Sequence, residues 1–475
     1  MNVELDQIQL PTYPSGSYNF IRRLRNEAVP KSSPSYGECK RDETSNPINN
    51  ENQLIFPVKL NITIIGAGVG GLSTAIALKR EGHSVTVYEQ ALALSEVGAG
   101  IQIPPNSSRI LHSWGLKAAL ERRSIKPTSI LWRRWQDGST IGNARLNPEL
   151  EEEFGSPYYV THRAHLHDAL HERVRGLGVP VRLGKRVEGY EVDDGVVRFS
   201  DREVVKTDLV IAADGIKSFA RKLLNGERDK GPYGHGLAVY RATVSMDDIR
   251  ADPLLKWIAD SPALNLWLGH NLHVMSYAIA GGERYNLVLT HPTLPNQIQN
   301  ISSADILNEM RSSYDGWDPV LKRLLDLVNH ALEWPIHAVD IPERWASNSG
   351  KLVLIGDSAH AMAPYMALGA AMAVEDAAAM AAALNRLGSR GELGDVISKW
   401  TAVRKRRVTQ VHQASFGHGL ILHLPDGPVQ RARDEALKAE LGEGAITESP
   451  NQWNDPTVRE WVYAYRPDVD INESF

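Results

Sequence analysis

The chain has 475 residues, of which 42% are hydrophobic and 23% charged, which suits a globular protein of two or three packed units. Its net charge of -5 provides no basic field, so we expect no nucleic-acid partner. The single cysteine, Cys39, excludes an internal disulfide, a CxxC redox pair and a cysteine-based zinc site.

The apolar segments are too interrupted to predict a membrane helix. The longest apolar stretch, from Ala359 to Leu387, is broken by His360, Glu375 and Asp376. The first residues lack the basic-then-apolar order of a signal peptide. We therefore expect no stable membrane insertion and a cytoplasmic location, with a homodimer left open.

Residues 1–56 are rich in Pro, Ser, Asn and charge without apolar periodicity, and we interpret them as a disordered extension. The first ordered pattern is a buried strand, Asn61–Gly66, followed by a helix over Gly71–Arg80 and a second strand, Ser84–Glu89. A strand, a helix and a strand in this order predict a parallel β-α-β unit. Another strand is predicted over Ser129–Gln136 and a helix over Arg163–Arg175.

Residues Leu237–Leu289 contain one strand pattern after another, which predicts a mostly antiparallel sheet. A buried strand returns at Leu352–Asp357, and helices are predicted over Gly369–Asn385, Asp395–Gln413 and Val429–Leu441. The fold class is therefore α/β: a Rossmann-like nucleotide-binding domain interrupted by a sheet domain, with a helical C-terminal tail. The predicted boundaries are 57–128, 155–235 and 340–415 for the first domain, 129–154 and 236–339 for the second, and 416–475 for the tail.

The stretch GAGVGG has the form G-x-G-x-x-G at the turn from the first strand into the first helix, with Gly66, Gly68 and Gly71 as its glycines. Such glycines allow a tight turn and let a pyrophosphate approach backbone N–H groups at the helix N-terminus. Glu89, at the end of the second strand, is placed to bind a ribose 2′-OH. An acid there disfavours a 2′-phosphate, so the pattern indicates FAD or NAD and not NADP.

Two later stretches make a family resemblance specific. They are DLVIAADGIKSFAR (Asp208–Arg221) and KLVLIGDSAHAMAPYMALG, which begins at Lys351. With the glycine turn they give the three ordered motifs of the class A flavoprotein monooxygenases, the group of salicylate hydroxylase and para-hydroxybenzoate hydroxylase. The chain resembles most its fungal salicylate-hydroxylase-like branch, also in GAGIQIPPN (Gly98–Asn106), HRAHLH (His162–His167) and HLPDGP (His423–Pro428). The resemblance runs from about Val58 to the C-terminus.

The resemblance implies FAD as cofactor, NADH or NADPH as co-substrate, and O2. In this family a flavin C4a-hydroperoxide hydroxylates a small phenolic ring, which is the function we expect. A related flavin epoxidase or dearomatising oxygenase is the close alternative, and an FAD-binding protein without turnover is a third. The W-x-W-x-I-P stretch of flavin halogenases is absent, as is a second G-x-G-x-x-G.

The resemblance also implies further cofactor contacts. Asp357 would accept hydrogen bonds from the flavin's ribityl chain, although an Asp after a strand also suits a helix N-cap. Backbone N–H groups at the start of the Ala-rich helix, Ala370 included, would face the flavin pyrimidine edge. Asp214 would lie near the pyrophosphate, with a plain strand-to-helix turn as the alternative. Arg163 would contact the FAD diphosphate or ribityl region, unless it is a surface arginine.

Gly100 would lie in a loop where the missing side chain lets the backbone touch the cofactor. The chain departs from the family at Leu368, where a Gln is usual, so one polar contact near the flavin is in doubt.

For the substrate, the resemblance favours Arg241 as charge partner and Tyr277 as donor to the substrate oxygen. The alternative is that Tyr277 is a packed sheet aromatic and Arg241 a surface or cofactor contact. Tyr240 is the alternative pocket residue, but it must face away from Arg241 in a regular strand. We expect no metal site: the series His165, His167, His171 lacks an H-E-x-x-H pattern. A further group, His412, His418 and His423, is interpreted as solvated or packed.

Overall fold

A computed structural model describes residues 58–94, 99–293 and 303–475. The predicted N-terminal extension, residues 1–56, lies outside these ranges, as do Cys39 and Gly98. The strands, in chain order, are β1 Asn61–Ile65, β2 Ser84–Tyr88, β3 Gly100–Ile103, β4 Ser124–Ile125, β5 Ser129–Arg134, β6 Thr140–Arg145, β7 Tyr159–His162, β8 Val181–Arg182, β9 Val187–Glu191, β10 Val196–Phe199, β11 Val204–Lys206, β12 Leu209–Ala212, β13 Tyr233–Ser245, β14 Leu264–Gly269, β15 Leu272–Ile279, β16 Arg284–Pro292, β17 Ala331–Ala338 and β18 Leu352–Leu354.

The helices, in chain order, are α1 Val69–Arg80, α2 Pro105–Ser113, α3 Lys117–Arg123, α4 Glu149–Phe154, α5 Arg163–Gly176, α6 Phe219–Asn225, α7 Met246–Ala251, α8 Lys256–Ala259, α9 Ser303–Ser313, α10 Pro319–Asp326, α11 Asp357–His360, α12 Gly369–Leu384, α13 Leu393–Leu422, α14 Pro428–Leu437, α15 Pro456–Tyr463 and α16 Pro467–Ser474.

The first large sheet is parallel and has the strand order β18-β12-β1-β2-β8. Its central strands β1 and β12 are almost entirely buried, which is why they read as continuous apolar runs and not as alternating ones. Strands β12 and β18 join β1 from much later in the chain. The nucleotide-binding unit is therefore assembled from separate parts of the chain, and the α/β prediction is confirmed.

The second large sheet has the order β17-β13-β16-β15-β14-β5-β6. Neighbouring strands are antiparallel except for β14 and β5, which run parallel. One face packs on a separate apolar cluster with residues of α7, α9 and α10, among them Met246, Met310 and Leu324. The other face is turned toward the nucleotide-binding unit. Every second side chain along these strands therefore points to that unit.

Helix α13 is longer than the sequence predicted. The prediction ended at Gln413, yet the helix continues to Leu422 through Gly417 and Gly419. A Cβ on Gly419 would lie 2.5 Å from the Tyr365 ring, so this glycine permits close packing and does not end the helix. None of the described helices is both long and apolar enough to cross a membrane.

A buried ionic network joins α12 to α13. Arg404 donates from Nε to Asp376 Oδ1 at 2.8 Å and from Nη2 to Glu375 Oε2 at 3.1 Å. Arg407 Nη2 donates to Glu375 Oε1 at 3.2 Å. All four side chains have at most 1% of their surface exposed. Burial alone would raise the pKa of Asp376, but His360 and Arg404 lower it to about 2.

We predict that Arg404→Met lowers the free energy of unfolding by about 3–5 kcal/mol, because each of two buried carboxylates loses one of its charged partners. The matched control is Arg406→Met, on the same helix as Arg404. It removes the ion pair that the exposed Arg406 forms with Asp470 of α16, and it should cost less than about 1 kcal/mol. Urea unfolding of both variants measures the difference. Equal losses would show that the network contributes no more than a surface pair.

Candidate active site

The three glycines of the first turn differ in what surrounds them. A Cβ on Gly66, whose φ is +103°, would lie 2.3 Å from the carbonyl oxygen of Ala213, and one on Gly71 would lie 1.9 Å from that of Gly66. A Cβ on Gly68 would meet nothing within 4 Å. Gly66 and Gly71 therefore allow close packing of strand, turn and helix, whereas Gly68 leaves open space at the N-terminus of α1.

Glu89 holds this turn in place. Its Oε2 accepts from the Ala67 amide and its Oε1 from the Ala91 amide, both at 2.8 Å. His167 supports the same segment, because its Nε2 lies 2.7 Å from the Ala67 carbonyl oxygen. Glu89 is partly exposed beside the turn but does not line the central cavity described next. Its ribose contact stays a prediction.

A cavity of about 450 Å³ lies between the two large sheets and the C-terminal helices. The nucleotide-binding unit contributes the glycine turn, and α5 contributes Arg163. The second sheet contributes the face that is turned inward. Of the residues predicted for the site, those that line this cavity are Gly68, Gly100, Arg163, Arg241, Tyr277, Asp357 and Ala370.

Asp357 opens α11 and is exposed to the cavity. The N-cap of that short helix is Gly356, and no side chain caps it, so the N-cap alternative for Asp357 is wrong. Helix α12 starts nearby at Gly369 with neither an acidic residue in its first turn nor a side-chain cap. Its first amides have no partner within the helix and carry partial positive charge beside the cavity. Leu368, at its N-cap, is 3% exposed and packs in the core.

The Asp214 carboxylate makes its hydrogen bonds to the backbone of the protein itself. Its Oδ2 accepts from the amides of Phe219 and Ala220, at 3.0 and 3.4 Å, at the start of α6. Burial raises the pKa of this carboxyl. Its neighbours Ala213 and Gly215 line the cavity, but Asp214 does not. The contacts of the Asp214 side chain therefore match the alternative prediction, a plain strand-to-helix turn.

Gly100 begins strand β3 and is not in a loop, so that part of the prediction is wrong. A Cβ on Gly100 would lie 2.5 Å from the hydroxyl oxygen of Tyr277. Its missing side chain thus makes room for the tyrosine. The Gly100 amide donates to Asn286 Oδ1 at 2.9 Å, which fixes the strand against the second sheet.

Arg241 and Tyr277 lie on the same face of the second sheet. Arg241 pairs with Val288 of β16, and Tyr277 pairs with Asn286 two residues away on the same strand. Burial lowers the pKa of Arg241 and raises that of Tyr277, and each of the two side chains opposes the shift of the other. The Nε of Arg241 is buried and has no hydrogen-bond partner among the described residues.

Tyr240 lies on the opposite face, as strand alternation requires. Its ring stacks on His291 with centroids 4.0 Å apart inside the second apolar cluster. It does not line the cavity, so the alternative assignment of Tyr240 to the pocket is wrong.

The sequence interpretation missed His273. It lines the cavity with 8% of its surface exposed, and its Nδ1 lies 2.7 Å from Nε2 of His423. Burial, and then the neighbouring histidines, lower the pKa of His273 well below its usual value. The signal was present, because His273, Met275 and Tyr277 alternate along one strand. His423 had been interpreted as packed or solvated, without a partner on β15.

The histidines of α5 do not converge. His167 contacts the glycine turn, and the His165 ring instead lies 5.5 Å from the ring of His162. Within the described ranges no three His, Cys, Asp or Glu side chains are grouped as a metal site would require.

Comparison with known proteins identifies the family. Residues 59–415 match the family model described as FAD binding domain. The chain belongs to this family. It is 36% identical over 411 residues to the FAD-dependent monooxygenase OpS4 of Beauveria bassiana, which covers 86% of this chain and 95% of the relative. It is 37% identical over 380 residues to 3-amino-4-hydroxybenzoate 2-monooxygenase PtmB3 of Streptomyces platensis, covering 79% and 92%.

A solved structure described as a salicylate hydroxylase substrate complex has the same fold, with a TM-score of 0.70 and 23% identity. It covers 88% of this chain and 98% of the other. The fold prediction of a para-hydroxybenzoate hydroxylase type is thereby confirmed. The chain is an FAD-dependent monooxygenase that hydroxylates aromatic substrates, and enzymes of this class typically use NAD(P)H.

The monooxygenase's own residues fit FAD. The open space at Gly68 lies at a helix N-terminus, which suits a pyrophosphate. Asp357 offers acceptor oxygens to a polyhydroxyl chain, and the uncapped start of α12 offers amides to a polar ring edge. These groups line one cavity, so a single extended dinucleotide can meet all of them.

We predict that Gly68→Ala weakens FAD binding about tenfold without lowering the stability of the protein, because the methyl group enters only the open space. Gly71→Ala should instead destabilise the fold by about 2 kcal/mol or more, through the clash with the Gly66 carbonyl. Gly176→Ala, in open space at the end of α5, is the control. Flavin content and urea unfolding separate the effects, and normal FAD affinity in Gly68→Ala would contradict this assignment.

Acidification should destabilise the monooxygenase through buried neutral histidines. Burial lowers the pKa of His418 to about 3 and that of His83 to about 4, whereas an unfolded histidine titrates near 6.5. Below about pH 6.5 the unfolded chain therefore binds protons that the folded one does not, and stability falls by up to about 1.4 kcal/mol per pH unit for each such histidine.

The test compares urea unfolding at pH 7 and pH 5 in the wild type and in His418→Phe. The phenyl ring can replace the imidazole, which packs edge-on against Trp132 and Trp453. We expect a smaller loss on acidification in the variant. An identical loss would mean that His418 takes up its proton in the folded state.

Proposed function

We propose that this monooxygenase hydroxylates a small phenolic compound with O2, using NADH or NADPH as reductant. The observation that carries the proposal is the pair Arg241 and Tyr277 on one cavity-facing sheet surface, opposite the start of α12. In support, the relative from Streptomyces platensis is described as acting on 3-amino-4-hydroxybenzoate, a phenol. Bound FAD would supply the activation of O2; the residues of the chain bind and orient the ring.

Arg241 suits the oxygen of a phenolate. An aromatic ring becomes a better nucleophile when its hydroxyl group is ionised, and a nearby cation favours that ionised form. Arg241 forms no ion pair with a carboxylate in the described part of the chain, and its Nε is buried without a protein partner. A buried guanidinium in this state is stabilised by an anionic ligand.

Tyr277 suits the role of a hydrogen-bond donor to the same oxygen. Burial raises its pKa, so its hydroxyl stays protonated at neutral pH. The ring is fixed by the space that Gly100 leaves for it. A fixed donor orients the substrate without a further loss of side-chain entropy.

His273 offers a proton acceptor at another point of the cavity wall. Its depressed pKa keeps the imidazole neutral, and the contact with His423 fixes the ring. Apolar side chains of the same face, Met275, Val288 and Ile336, keep water away from the bound ring.

Two alternatives are less well supported. For an FAD-binding protein without turnover, the departure from the family at Leu368 gave slight support, but Leu368 is buried in the core and does not line the cavity. An epoxidase or dearomatising oxygenase would use the same cavity, and no side chain described above favours it over hydroxylation.

The function is tested by supplying the flavin-loaded protein with a panel of hydroxybenzoates and resorcylic phenols. We expect at least one phenol to stimulate NADH or NADPH oxidation and to gain one oxygen atom from ¹⁸O2, as measured by mass spectrometry. The matching benzoates without a hydroxyl group are the controls, and oxygen incorporation into these controls but into none of the phenols would argue against the phenolic assignment.

We predict that Arg241→Gln lowers the hydroxylated product formed per NAD(P)H consumed by about tenfold or more, because a positioned charged group contributes on this scale. The electrons should appear as hydrogen peroxide instead. Tyr240→Phe is the matched control on the opposite face and should keep wild-type coupling. Product yield and peroxide are measured together, and wild-type coupling in Arg241→Gln would remove Arg241 from the site.

A further inference from the structure

A second cavity, of about 400 Å³, adjoins the first. The two cavities share Arg163, Arg241 and Trp334 as lining residues. Both are built on the same face of the second sheet, since Thr243 and Ser245 continue the alternation of Arg241 along β13, and Ser245 pairs with Arg284 of β16. We call this second cavity the arginine groove and define it by Arg163, Arg241, Asp248, Arg284, His330 and Trp334.

The groove has an excess of positive charge. Three arginines and a histidine line it, against the single carboxylate of Asp248. Burial is the main cause that lowers the pKa of Arg241, and the positive charge of Arg163 lowers it further. The two arginines are therefore close enough for the charge of Arg163 to disfavour the charged form of Arg241. The whole chain carries a net charge of -5, so this excess is local and does not follow from composition. Such a cluster is suited to an anionic ligand.

Arg284 is exposed yet held in place. Its Nη2 donates to Oγ1 of Thr243 at 2.6 Å and to the carbonyl oxygen of the same residue at 3.3 Å. Those bonds leave other N–H groups of the guanidinium directed to the groove or to solvent. A guanidinium fixed in this way presents a fork that matches phosphate oxygens.

Trp334 adds an aromatic surface. It lies on β17, which is an edge strand, and 45% of its surface is exposed. Leu332, two residues away on the same face, is also exposed, at 37%. A large exposed indole beside arginines is the combination that stacks on a planar base while the cations bind its phosphates.

We propose that the arginine groove is the docking site for the reduced pyridine dinucleotide. Its pyrophosphate would bind Arg284, one of its bases would stack on Trp334, and the nicotinamide would enter the flavin cavity past Arg163 and Arg241. A dinucleotide carries two rings and two phosphates, so it offers groups both to the arginines and to the indole. The inference depends on NAD(P)H being the reductant in the proposed function.

The experiment uses the flavin-loaded monooxygenase with the single substitutions Arg284→Ala and Trp334→Ala. Anaerobic flavin reduction is followed by absorbance over a series of NADH and NADPH concentrations, and ADP-ribose binding is measured by calorimetry. Each substitution should raise the concentration of nucleotide that gives half the maximal rate, and the Kd for ADP-ribose, about tenfold. The rate at saturation and the FAD content should stay within about twofold of the wild type.

Two controls sharpen the result. Arg250→Ala removes an exposed arginine of α7 that pairs with Asp247 outside the groove, and it should leave both constants unchanged. Arg284→Lys keeps the charge but not the fork, and its constants should lie between those of the wild type and of Arg284→Ala. Raising the ionic strength should weaken ADP-ribose binding to the wild type more than to Arg284→Ala.

The outcomes separate the two proposals. A wild-type protein that neither nucleotide reduces would overturn the proposed function and, with it, the role of the groove. Normal reduction of the wild type, with unchanged constants in Arg284→Ala and Trp334→Ala, would overturn the groove alone. Variants that change the affinity for a phenolic substrate but not for ADP-ribose would assign the groove to the substrate, which also overturns the inference.

Discussion

Two adjacent buried carboxylates, Glu375 and Asp376, connect several of the elements that surround the cavity. They lie on the helix whose first amides face the cavity, and Arg404 and Arg407 of the next helix hold them. Asp376 also accepts from the Gly356 amide at 3.1 Å, and Glu375 accepts from Asn106 at 2.7 Å. Removing these charges from water is costly, so the arrangement is stable only when all partners are present. Glu375 and Asp376 therefore connect helix α12 to Gly356, to helix α2 and to helix α13.

The sequence contained these two acids, but their role could not be predicted from it. In the sequence they only interrupt an apolar stretch, whereas their partners lie far along the chain, and pairing over such separations is set by packing. Local patterns were more informative. The placement of Arg241 and Tyr277 in one site came from the family resemblance, whereas the β-α-β unit and the three glycines follow from periodicity and motif spacing. Tyr240 was likewise placed opposite Arg241 by alternation alone, and its ring does stack in the other apolar cluster.

Two errors concern segments that contain a glycine. The helix that contains Gly419 was predicted to end at Gln413, and Gly100 was predicted to lie in a loop close to the cofactor. In both places the missing side chain makes room for a tyrosine, Tyr365 in one case and Tyr277 in the other. Whether a glycine serves the backbone or a neighbouring ring is decided by tertiary contact. His273 was overlooked for a different reason: its significance comes from His423, which reaches it from the end of a helix that the sequence predicted to stop earlier.

The inward face of the second sheet changes character along its strands. Around His273, Met275 and Thr290 the wall is buried and its histidine is neutral, which favours an uncharged or weakly acidic ring kept away from water. Around Thr243, Arg284 and Trp334 the wall is cationic and open, which favours a phosphorylated ligand. Arg241 lies between the two ends and lines both cavities. Since a strand's side chains alternate strictly, one continuous sheet face lines both the buried cavity and the open groove, and no separate domain is needed for either.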